Sequence, residues 1–137
     1  MAEKPARVLP VVTPENEHFW KGGMEGELRF LRCRDCSSYV HPPAPVCGDC
    51  LGRELEVAAV SGRAQLLTYT VNHQPWLPGF DPPYVIAIVE IDEQSGLRLT
   101  TNLVNCAPEE IRIGMPVRVV FEQYDDLAIP LFEPAGS

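Results

Sequence analysis

Four cysteines constrain this chain more than any other feature. Cys33 and Cys36 stand two residues apart, ten residues follow, and Cys47 and Cys50 repeat the spacing. Two thiolates separated by two residues grip one metal ion from a tight knuckle, and two knuckles complete a tetrahedron of sulfurs. Pro42, Pro43 and Pro45 lie in the short interval and bend the chain back on itself. A pair of disulfides is the rival reading, but the opening MAEKPARVLPVV has no apolar stretch of secretory length, so we expect a cytoplasmic protein with reduced thiols. Spacing alone leaves an iron centre of rubredoxin type beside Zn2+. With zinc, four cysteines leave no open position for water or substrate, so one ion per chain would be structural.

Charge narrows the partners. The formal net charge is 11 − 19 = −8, and Lys4 and Lys21 are the only lysines. Nucleic acid and anionic membrane surfaces are bound by clustered basic residues, so neither is expected as a partner. No apolar run approaches the ~20 residues of a membrane span. Arg29, Arg32, Arg34, Arg53 and Arg63 flank the knuckles and are expected to offset the charge of a four-thiolate centre.

The pattern around the knuckles is mainly β. Residues 13–23, TPENEHFWKGG, read as a short helix with Thr13 as cap, Pro14 in the first turn and Gly22 and Gly23 as the stop. Phe19 and Trp20 are adjacent and cannot share a narrow stripe. Either both pack on the ribbon or one of them meets a partner. Strand-like runs at 26–33 and 55–60 bracket the knuckles. Five more follow, at 64–73, 84–92, 97–104, 116–123 and 128–133, with a helical turn within APEEIRIGM after the third. This order predicts a five-stranded Greek-key barrel, the OB fold, although a piece of a sandwich fits the pattern alone. We divide the chain into an N-terminal helical segment at 1–25, a zinc ribbon at 26–60 and the barrel at 61–137.

The segment NHQPWLPGFDPP joins the first two barrel strands, one of the usual ligand-facing loops of an OB fold. His73, Trp76, Leu77, Phe80 and Tyr84 are its candidate contact residues, toward a partner enzyme or an acyl-CoA channel. Trp and Phe anchor interfaces because they bury much apolar area with few rotatable bonds. The plainer alternative is that Trp76 plugs its own barrel. Cys106 has no partner in spacing and reads as a small buried side chain. No catalytic triad, HExxH or phosphate-binding glycine loop is present.

The knuckles, SGRAQLLTYTVNHQP, PPYVIAIVEID and TTNLVNCAPEEIRIGMPVRVVFE occur in an order and spacing that resemble the thiolase-associated family of zinc-ribbon plus OB-fold proteins. The likeness covers nearly the whole chain. It implies a rubredoxin-like zinc ribbon with Cys33, Cys36, Cys47 and Cys50 as ligands. It also implies a non-catalytic subunit that docks on a thiolase-like enzyme acting on acyl-CoA thioesters, by acyl transfer, thiolysis or retro-aldol cleavage of steroid side chains. By analogy the assembly would be a 2:2 heterotetramer with acyl-CoA near the joint. A free-standing acyl-CoA-binding module is the alternative. In one respect the chain departs from the family pattern. Many members place glycine directly after the second cysteine of each knuckle, where this chain has Ser37 and Leu51.

Overall fold

The computed structural model describes residues 9–74 and 83–135. One helix, α1 (Glu17–Gly22), leads into two β units. The first is a three-stranded sheet of β1 (Leu28–Cys33), β2 (Tyr39–Val40) and β3 (Leu55–Val60), in the order β2-β1-β3. The second is a closed barrel of β4 (Arg63–Asn72), β5 (Tyr84–Ile91), β6 (Arg98–Leu103), β7 (Pro116–Gln123) and β8 (Ala128–Pro134), in the order β4-β5-β6-β8-β7. A 3-10 turn at Pro108–Glu110 follows the third barrel strand, as the OB pattern requires. Among the described residues no helix is long and apolar enough to cross a membrane.

Alternation in the sequence becomes the inside and outside of the barrel. On β5, Val85, Ala87, Val89 and Ile91 are buried, and on β6, Leu99, Thr101 and Leu103. This is the period of two that pleating imposes. Leu66 and Thr68 flank a register shift between β4 and β5, which lets the ten-residue β4 bend far enough to pair with both β5 and β7.

The N-terminal segment departs from expectation at its start. Helical structure begins at Glu17 rather than near Thr13, because the Asn16 side chain accepts from the Thr13 amide (2.7 Å) and folds residues 13–16 into a turn. At the other end the α-helix stops at Gly22 with Gly23 as its C-cap, as expected. The chain runs on as a 3-10 turn to Glu25 and ends at Gly26, which has φ +76°. Gly23 serves a packing purpose as well. A Cβ there would lie 2.4 Å from the Phe121 ring and 2.6 Å from Ala128.

Ribbon and barrel share one core. Phe19, Leu28 and Phe30 join Ala64, Leu66, Val117 and Phe132 in a continuous buried cluster. At the rim of this joint Gln94, in the β5–β6 turn, accepts from the Tyr39 amide (2.8 Å) and donates to the Tyr39 carbonyl (3.1 Å). Ser61 donates its amide to Glu93 (2.6 Å).

Candidate metal centre

The two knuckles are built alike. In the first, the Ser37 amide donates to the Cys33 carbonyl (2.9 Å) and the Cys33 amide to Ser38 (2.8 Å). In the second, Leu51 donates to Cys47 (3.0 Å) and Cys47 to Gly52 (2.8 Å). Each turn closes through a left-handed residue, Ser37 at φ 67° and Leu51 at φ 63°. These are the two positions where glycine would adopt the conformation without strain. Gly52 has a different role: a Cβ on it would meet the Asp35 carboxylate at 2.6 Å and Cys50 Sγ at 3.2 Å.

This turn geometry brings the four sulfurs of Cys33, Cys36, Cys47 and Cys50 within 4.8 Å of one another. Cys33 and Cys50 are 3.5 Å apart, and Cys36 and Cys47 3.6 Å. A disulfide needs about 2.05 Å. Four sulfurs around one ion at a metal–sulfur distance of ~2.3 Å lie about 3.8 Å apart. The spacing therefore fits a metal ion. Cys33 and Cys47 are buried and Cys36 and Cys50 exposed, so the centre is anchored on one side and open to solvent on the other.

Protonation follows the same crowding. The Ser38 hydroxyl and amide hold the Cys36 thiol down to about 6. At Cys50 the Gly52 amide pulls downward but is outweighed by the neighbouring sulfurs, Cys36 and Cys33 foremost, which push it up to about 12. A bound cation reverses that repulsion and keeps all four sulfurs as thiolates.

Of the flanking arginines, Arg32 donates to the Ser37 carbonyl of the first knuckle (3.1 Å), while others pair with carboxylates. Arg29 is held by Glu25 and Glu27, each at 2.6 Å. Arg34 approaches Glu56 at 3.9 Å, and Arg63 opens the barrel strand β4. Amide donors support the sulfurs instead, Asp49 to Cys47 and Gly52 to Cys50, both at 3.4 Å.

Other predicted residues scatter. Phe19 is 4% exposed and belongs to the core, so of the aromatic pair Trp20 alone, half-buried, has surface to offer. Cys106 is half-buried rather than buried, since its sulfur packs at the core's edge and donates weakly to the Ala107 carbonyl (3.6 Å). In the β4–β5 loop, Trp76, Leu77 and Phe80 lie outside the described residues. At its base Tyr84 hydrogen-bonds Asn72, and His73 is exposed.

Two features escaped sequence reasoning. His18 Nε2 and His41 Nδ1 are buried without a hydrogen-bond partner, and His41 stacks on Phe19 with ring centres 4.8 Å apart. Nothing in the local sequence marks either nitrogen as buried.

Fold and site together define a class: a four-cysteine metal ribbon joined through a shared core to an OB barrel. Comparison with known proteins gives the family. Residues 20–56 match the rubredoxin-like zinc ribbon domain of ChsH2 and residues 57–122 its C-terminal OB-fold domain. The chain belongs to this ChsH2, or DUF35, family. It is 38% identical over 133 residues to a probable enoyl-CoA hydratase alpha subunit of Thermomonospora curvata, covering 96% of this chain and 41% of that protein. It is 33% identical over 129 residues to the 3-oxo-4,17-pregnadiene-20-carboxyl-CoA hydratase alpha subunit of Mycobacterium tuberculosis, covering 94% and 40%. The chain thus spans about two fifths of these curated relatives. Among solved structures it resembles a chain of the Ltp2-ChsH2(DUF35) aldolase, with a TM-score of 0.83, 36% identity, and coverage of 93% of this chain and all of that one.

Proposed function

We propose that this chain is a non-catalytic accessory subunit of a thiolase-superfamily enzyme acting on acyl-CoA thioesters in the cytoplasm. The observation that carries the reading is the likeness to an entire DUF35 chain of a two-component aldolase. The chemistry of the centre agrees with it. Four cysteines saturate a tetrahedral ion, so a zinc ion there holds the ribbon and leaves catalysis to the partner. Thiolysis, acyl transfer and retro-aldol cleavage of a steroid side chain all fit this role. A 2:2 assembly follows the symmetry preference of such complexes.

On this reading the β4–β5 loop, with His73, Trp76, Leu77, Phe80 and Tyr84, faces the partner or its acyl-CoA channel. Its prolines limit the entropy lost on docking. Co-purification of the tagged protein from its own cells tests the proposal. A thiolase-like subunit should accompany it in fixed ratio, and Trp76→Ala should weaken both that association and the partner's turnover. Recovery of the protein alone at low salt, followed by tight CoA binding in isolation, would replace the accessory role with a free-standing acyl-CoA module. Visible absorbance of iron in the native protein would refute the zinc assignment.

A further inference from the structure

β6 and β8 are barrel neighbours, yet they pair at a single position, Leu103 with Phe132. Toward Arg98 on one strand and Ile129 on the other, the seam opens into a cleft of about 520 Å3, also lined by Trp20 of α1 and by Pro42 and Pro43 of the ribbon. That volume is typical of small-ligand sites. None of the four cysteines lines it.

The cleft offers a restricted chemistry. Trp20, Leu99, Ile129 and Leu131 make its walls largely apolar. Three of its polar side chains are engaged within the chain, while His41, also in the lining, is a neutral ring stacked on Phe19. Asn16 donates to Val11 (3.1 Å) and accepts from Thr13 (2.7 Å). Thr101 donates to the Pro130 carbonyl (3.0 Å) and Asn102 to the Val85 carbonyl (2.9 Å). Arg98 differs. It is exposed, and among the described residues it forms no ion pair. Glu90, its cross-strand neighbour, turns its carboxylate to the Gly96 amide (3.1 Å) instead.

We propose that this seam cleft binds an amphipathic carboxylate, its apolar chain against Trp20, Ile129 and Leu131 and its head on Arg98. From Arg98 to Asn102 the strand advances about 13 Å, close to the length of a medium-chain fatty acid. A planar carboxylate matches the guanidinium fork. A phosphate dianion fits less well, because Glu90, Asp92 and Glu93 on the same hairpin repel a second negative charge.

Titration of the metal-loaded chain with sub-micellar decanoate, followed by calorimetry and 15N NMR, tests the site. Saturable 1:1 binding should move the Trp20 indole and the Thr100 amide signals. Arg98→Gln should weaken decanoate about tenfold while leaving the weaker binding of decanol unchanged. Thr100→Trp, at an exposed position of the lining, should abolish both, with an unchanged circular dichroism spectrum showing that the fold persists. The proposal is overturned by absence of saturable binding, by equal affinity for decanol, by tighter binding of decyl phosphate, or by binding that survives Thr100→Trp. Cleft signals indifferent to decanoate but broadened by the partner enzyme would also overturn it and assign the cleft to polypeptide.

Discussion

Replacing His41 with phenylalanine should stabilise this protein, and more so in acid. The imidazole packs between Phe19, at a centroid distance of 4.8 Å, and Phe30, at 4.9 Å, so a phenyl ring keeps the aromatic contacts. Its Nδ1 is buried with no partner. An unsatisfied buried polar atom costs about 1–3 kcal/mol, and we expect a gain near the lower end, about 1 kcal/mol, at neutral pH. The larger effect comes from protons. Burial, then the nearby His18, lowers the His41 pKa from 6.5 to about 4. Between those values the unfolded chain binds the proton and the folded chain refuses it. The stability His41 permits is therefore whole above the unfolded value and drains away as pH falls toward the folded one. By pH 5 the loss reaches about 2 kcal/mol as an upper figure, since the ring is partly solvated. Urea unfolding of metal-loaded wild type and His41→Phe at neutral pH and at pH 5 reads the difference directly. Loss of thiolate–metal bonding in acid affects both proteins and cancels. A stability gap that stays constant across the two conditions would refute the reasoning.

Other consequences are more direct. Cys47→Ser should lose the metal and unfold the ribbon, because structural zinc contributes about 10–16 kcal/mol, more than a domain of this size has in reserve; metal content and NMR dispersion of residues 26–60 would show it. Leu51→Gly should raise stability by roughly 1 kcal/mol, since the residue is 73% exposed and held at φ 63°, and thermal melting with metal in excess is the check. Gly52→Ala should weaken metal affinity at least tenfold in a chelator competition, because the added methyl would press on the Asp35 carboxylate and Cys50 Sγ. Gly23→Ala should loosen α1 from the barrel and lower the melting temperature by several degrees, since its methyl would collide with Phe121 and Ala128.

Much of this architecture was legible because its signals are local. The Cys-x2-Cys pairs specify a metal knuckle whatever surrounds them. The alternation of β5 and β6, the EQSG turn and the helical turn after the third strand each declare themselves within a few residues. The N-terminal segment misled for a related reason. Thr13 offers the commonest capping residue, whereas Asn16 accepts from the Thr13 amide and delays the helix; Gly23 ends the helix as its type suggests, but its packing on Phe121, about a hundred residues away, is invisible locally.

The sequence by itself determined the four-cysteine cluster, the five barrel strands, the order of the two units and the acidity that disfavours nucleic acid, since each depends on residue type and near-neighbour spacing, whereas the short ribbon strand β2 was not legible. Tertiary structure decided what distant segments do on meeting. It sank Phe19 into the common core and left Trp20 at a cleft. It buried one ring nitrogen each of His18 and His41 without a partner and set Gln94 of a barrel turn against Tyr39 of the ribbon. It also left Arg98 without an ion pair among the described residues, beside an apolar seam, because β6 and β8 diverge from their single pairing at Leu103. Burial and pairing of this kind are properties of closure, and no window of sequence contains both sides of a closed barrel.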